Sequence, residues 1–135
     1  MSEELITLEN VSKDMLKAIF DAALMDTTLD SDGDILIKDR CRVYVLPDVE
    51  RRRIRLLAQF GFVPSASEHA KLDCANRINS DYIIVRASVH GDKLRFSYDV
   101  SLDGGITKKA MALLVKRFCS IPQEAVADYG KDIVQ

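Results

Sequence analysis

The 135 residues carry 19 Lys and Arg against 21 Asp and Glu, a formal net charge of -2, with 47% hydrophobic and 30% charged side chains. A chain of this length fits one domain, buries roughly two-thirds of its unfolded surface on folding, and lies far from the composition of disordered chains. Its slight acidity excludes a general attraction to phosphate backbones or anionic lipid, and no apolar run approaches bilayer-spanning length, so a cytoplasmic protein without nucleic-acid or membrane partners is expected.

In chain order, Thr7 is placed to cap a first helix that runs to about Met25, with Val11, Met15, Ala18, Ile19, Ala22 and Ala23 recurring at helical spacing. Strand patterns follow over 27–30, 35–38, 42–46 and 51–60, separated by turn residues, and read as an antiparallel meander. In the last of these, Ile54, Leu56, Ala58 and Phe60 share one face and Arg51, Arg53 and Arg55 the other, the one-sided burial that antiparallel sheets allow.

Pro64 closes that strand, and Ser65-Ala66-Ser67-Glu68 has capping-box spacing for a second helix, with a narrow stripe of Ala70, Cys74, Ala75 and Ile78 and an end near Asn79. Two strands, 81–89 and 93–102, then flank His90-Gly91-Asp92, a short glycine-containing link that favours a hairpin. Thr107 caps a third helix with an amphipathic stripe of Met111, Leu114, Val115 and Phe118. Ser120, Pro122 and Gln123 carry the signals of a further, weak terminal helix with Val126, Tyr129 and Ile133, interrupted by Gly130.

The order helix, three strands, helix, two strands, helix, together with Asn76-Arg77-Ile78-Asn79, the Arg86 strand, Tyr98-Asp99 and the Gly104-Gly105 approach to a helix, resembles the YbjN-like family, named as putative bacterial sensory-transduction regulators. The resemblance spans most of the chain and is strongest over 76–118. It implies an α+β domain similar to type III secretion chaperones, with helices on one face of a five-stranded antiparallel sheet, often dimeric. It supplies no catalytic residue.

Three cysteines, Cys41, Cys74 and Cys119, are odd in number and set in apolar patterns, which indicates reduced, mostly buried thiols and no disulfide framework or zinc site. Thr28, Asp30, Asp32, Gly33, Ile35 and Asp39 fall in the register of a calcium loop, but the first and last ligands are wrong and the flanks are strands, so 31–34 reads as a turn. The Arg51-Arg52-Arg53 run with Arg55 lacks aromatic stacking partners and reads as a solvated strand face. His69 and His90 are expected on the surface, and no local signature pairs Cys74 with either.

No catalytic residue, metal or cofactor is assigned. The expected function is a protein-interaction domain, a chaperone-like or regulatory adaptor, whose partner is another protein or a second copy of the chain. Val43, Val45, Ile54, Leu56 and Phe62 are the candidate partner-binding or dimer face, provided that helices leave some of them uncovered. Asn76, Asn79, Arg86 and Asp99 are a candidate polar cluster, with helix capping and a charge pair as its structural explanation. A small-ligand sensor or enzyme would instead need a pocket between helix 2 and the sheet.

Overall fold

The computed structural model describes residues 5–135. Its main element is an antiparallel sheet of six strands, β2 (Thr27–Leu29), β3 (Ile35–Lys38), β4 (Arg42–Asp48), β5 (Arg53–Gly61), β6 (Arg86–His90) and β7 (Lys93–Ser101), in the order β2-β3-β4-β5-β7-β6. The expected five strands become six because the short 27–29 segment pairs fully with its neighbour, Thr27 opposite Ile37 and Leu29 opposite Ile35. A separate pair joins β1 (Leu5–Ile6) to β8 (Ile106–Thr107). Two-residue strands carry no periodicity, so this pair is invisible in the sequence.

Three helices, α1 (Lys13–Ala22), α2 (Glu68–Asp81) and α3 (Lys108–Tyr129), lie on one face of the sheet. Their buried stripes meet the inward strand positions in a single core: Leu16 and Phe20 from α1, Cys74 and Ile78 from α2, and Met111, Val115 and Phe118 from α3. Opposite them, Ile35, Ile37, Val43, Val45, Ile54 and Leu56 have no exposed surface. The face carrying Val43, Val45, Ile54 and Leu56 is therefore sealed by helices, and Phe62 is also buried at 2% exposure. None of the five is available to a partner in the folded monomer, which corrects that assignment.

The first helix starts later than expected. Ser12, not Thr7, is its N-cap and accepts from the Met15 amide, while Thr7 lies in a turn closed by the Asn10 side chain. The buried stripe is partly different: Leu16 and Phe20 are fully buried, Val11, Met15 and Ile19 pack against the core as expected, and Ala18 and Ala22 face solvent. Similarly, Ser67 rather than Ser65 caps α2, accepting from the Ala70 amide. That helix continues through Asp81, and β6 begins only at Arg86, after a linker in which Ile84 holds a left-handed φ of 52°.

The two C-terminal helices are one. Thr107 caps α3 through the Ala110 amide, and the helix runs through a buried Pro122 to Tyr129. Proline removes a helical hydrogen bond here, but Ile121, Pro122 and Ala125 are all buried, and packing of that face sustains the helix across the defect. Ser120 does not cap a new helix; its hydroxyl donates back to the Arg117 carbonyl. After Gly130 the chain bends to the sheet, where Val134 bridges Phe62. Gly130 is fixed by space, since a Cβ there would sit 2.8 Å from Val134 Cγ2.

Candidate functional site

The sheet face that the helices leave bare is the candidate site. Side chains alternate along each strand, so the residues between the core positions all project to this second face. One cross-sheet row is fixed by register: Leu36 opposite Tyr44, Tyr44 opposite Leu57, Leu57 opposite Ser97, and Ser97 opposite Arg86. Leu46 extends the apolar part along β4. Tyr44, Leu46 and Leu57 are half-buried and Leu36 is buried at 7% exposure, yet none of the four belongs to the helix-covered core cluster or packs against it. They form a second, smaller apolar surface.

The face is also basic. Lys38, Arg42, Arg53, Arg55, Arg86, Lys93 and Arg95 project from it against the two acids Asp48 and Asp99, although the whole chain is slightly acidic. Asp99 is the hub of one side. Arg55 reaches it through Nε at 2.8 Å and Nη2 at 3.2 Å, Arg53 through Nη1 at 3.2 Å, and Arg86 through Nη2 at 3.3 Å. Hydrogen bonding from Arg55, and then the charges of Arg55, Arg53 and Arg86, hold its carboxyl below the usual carboxylate range against partial desolvation.

A depressed carboxyl stabilises the fold above the unfolded-state pKa of about 4, and that contribution disappears as pH falls through the lower folded-state value. Asp99→Asn is accordingly expected to cost about 2 kcal/mol at pH 7 and progressively less below pH 4. Urea unfolding of both proteins across this range checks it; a gap that persists or widens in acid contradicts the assignment.

Asn79, Asn76, Arg86 and Asp99 do not form one cluster. Arg86 and Asp99 meet on the bare face, whereas Asn79 acts at the sheet edge: its Nδ2 donates to the Ala87 carbonyl at 2.9 Å and its Oδ1 accepts from the Ala87 amide at 2.7 Å. The side-chain amide thus does for the middle of β6 what another strand would do. Asn76 is exposed on α2, and its carbonyl accepts from Ser80. Asn79→Ala should cost about 2 kcal/mol and raise hydrogen exchange at the Ala87 amide well above that of its neighbours; unchanged protection there would show that the contact is dispensable.

The other candidate chemistries separate in space. Cys74 and Cys119 are buried and Cys41 is half-buried. Desolvation raises all three thiols, Cys41 to about 11 and Cys119 to about 12, which keeps them protonated and poorly nucleophilic at neutral pH. His69 and His90 are exposed, and the His90 ring bonds the Ser88 hydroxyl at 2.9 Å. Asp30, Asp32 and Asp34 converge, but Asp30 Oδ1 accepts from the amides of Asp32 and Asp34, Lys13 pairs with Asp34 at 3.0 Å, and Asp39 follows a strand where a calcium loop would enter a helix.

Arg51 and Arg52 belong to the β4–β5 turn, paired with Asp48 and Asp103, so only Arg53 and Arg55 of that run share the bare face. The space between α2 and the sheet is filled by Cys74, Ala75, Ile78, Ala87 and Phe96. A concavity of about 350 Å³ lies instead between the end of α2 and α3, lined mostly by exposed or half-buried side chains including Asp81, Arg117 and Glu124. Beside it, Tyr82 bonds Asp128 and Tyr129 bonds Asp81, tying the two helix ends together.

The bare-face residues Leu36, Tyr44, Leu46, Leu57 and Arg95 are absent from the candidates read in the sequence. Their signal is the loss of alternation: 35–37, 43–46 and 56–58 are continuous apolar runs, with hydrophobic side chains on both faces.

Comparison with known proteins gives the same architecture. The sequence profile of the family described as "YbjN: Putative bacterial sensory transduction regulator" matches residues 12–128. The crystal structure of YbjN from E. coli, titled a putative transcription regulator, superposes with a TM-score of 0.77 at 17% identity, covering 98% of this chain and 99% of that one. The Yersinia pestis type III secretion chaperone SycH, solved in complex with a stable fragment of YscM2, gives 0.56 at 12% identity, covering 86% and 98%. No curated protein matches the chain in sequence. At these identities both structures speak to fold. Among the described residues no helix is long and apolar enough to cross a membrane.

Proposed function

The chain belongs to the YbjN family, and from that premise we propose that it is a non-enzymatic adaptor, regulatory or chaperone-like, that binds a partner protein on the helix-free face of its sheet. The observation that carries this reading is the second apolar surface, the half-buried Tyr44, Leu46 and Leu57 beside the buried Leu36, on a sheet whose other face already holds a complete core. Apolar side chains gathered on a solvent-facing sheet have no structural need there and mark contact with another molecule. The raised thiols and the dispersed histidines agree with a binding role rather than a nucleophilic one.

The face is a better platform than either edge. β2 offers only three residues, and the middle of β6 is satisfied by Asn79, so strand addition has little free backbone to pair with. SycH is a chaperone seen with a protein fragment, and its shared architecture lends this reading the support of analogy. A photo-cross-linking amino acid at Tyr44 in the native cell should give a discrete adduct with another protein, whereas one at Leu72, exposed on α2, should not. No adduct at Tyr44, or adducts only between two copies of the chain, would defeat the proposal.

A further inference from the structure

Resting on the docking face just proposed, we infer that its occupant is an acidic segment of a partner protein, with apolar side chains seated on Tyr44 and Leu57 and carboxylates meeting Arg42 and Arg95. The charge on the face is unevenly answered. On one side of the apolar row, Leu46, Arg55 and Asp99 form a row in which the arginine is already paired. On the other side, Lys38 stands opposite Arg42, and Gln59 opposite Arg95, which stands opposite Ser88. These two short rows together contain three cations and no acid, and none of these cations is in an ion pair among the described residues.

Arg95 is the more informative of these groups. Its Nε, like that of Arg53, is buried and lacks a hydrogen-bond partner, but Arg95 alone of the two has no ion pair among the described residues. It lies on the strand next to the β6 edge, two residues along β7 from the apolar row. A desolvated guanidinium N–H without an acceptor is unfavourable in the isolated chain, and a carboxylate that accepts from its planar fork removes that penalty. Rows two residues apart along a strand are separated by about 7 Å. That separation lies within the reach of neighbouring side chains on one bound segment, so a sequence mixing leucine-like and acidic residues can address both rows together.

Single-stranded nucleic acid would supply anions too, but it needs flat rings on which bases stack. The central row offers one ring, Tyr44, between two leucines, which favours aliphatic side chains. The positive rows also explain how a chain of net negative charge attracts an acidic partner: the attraction is local and short-ranged, and weakens as salt is added.

Fluorescence anisotropy with short labelled peptides tests this inference. A peptide mixing glutamate with leucine should bind, and its affinity should fall about tenfold or more in Arg42→Glu and in Arg95→Gln, and also with added salt. The lysine-for-glutamate and serine-for-leucine versions should not bind, and Lys116→Glu, on the exposed side of α3, should leave the affinity unchanged. Arg42 is exposed at the start of its strand, so its variant keeps the test valid if Arg95→Gln unfolds. The inference is overturned if the acidic peptide fails to bind, if the lysine peptide or an oligodeoxythymidylate binds as well, or if both arginine variants retain full affinity. Should that happen while Tyr44 still cross-links to a protein, the docking face survives and only the acidic character of its occupant is lost.

Discussion

Leu56→Glu should leave the chain unfolded at 25 °C, while Leu57→Glu, one residue away, should fold with stability within about 1 kcal/mol of the parent. Leu56 is fully buried beneath the helices, opposite Val45 and in the same core as Phe118 and Ile78. Among the described residues the core cluster around it is apolar, so a carboxylate there gains no cationic partner from it, and its desolvation costs upwards of about 5 kcal/mol, comparable to the whole stability of a domain. Leu57 points the opposite way, beside Tyr44 and Ser97 on the basic face, where a glutamate remains near water and arginines. Circular dichroism and thermal melting separate the two. Equal damage from both substitutions would mean that the second face is as closed as the first.

Phe20→Ala should cost about 3–5 kcal/mol, lowering the melting temperature by about 10–20 °C, because a fully buried ring leaves a cavity that the surrounding core only partly refills. Ala18→Lys should change stability by less than about 0.5 kcal/mol, since that position faces solvent and lysine suits a helix. The pair decides which face of α1 is docked. A strong effect of Ala18→Lys with a mild one for Phe20→Ala would restore the placement of Ala18 and Ala22 on the buried side.

That reversal shows where sequence patterns are weak. Over 11–25 almost every position has a small or apolar neighbour at helical spacing, so the alanines define a plausible stripe, and the tertiary contacts of Leu16 and Phe20 decide between faces. The third helix was easier to read, because Met111, Val115 and Phe118 are large and flanked by lysines and arginine on the other side. Pro122 misled for a local reason: proline suits a helix start, and only packing of Ile121 and Ala125 makes it tolerable inside one. The inward face of the meander was legible from Ile54, Leu56 and Ala58 alone. What covers it was not, because burial by distant helices leaves no mark on a strand's own sequence.

The candidate site was hidden by the same alternation that revealed the core. Arg53 and Arg55 label their face as solvated, and Leu57 on that face reads as an exception until register aligns it with Tyr44 and Leu36 from two other strands. Asn79 was legible as a residue of special role at a helix end, but its bonds to Ala87 depend on α2 lying along β6, a tertiary fact.

The most direct test of which sheet face is open is the relaxation of methyl groups by a soluble paramagnetic agent, measured by NMR. The leucine methyls of Leu46 and Leu57 should relax strongly, and those of Ile54 and Leu56 should be nearly untouched. Protection of Leu57 as complete as that of Leu56 would contradict an open docking face.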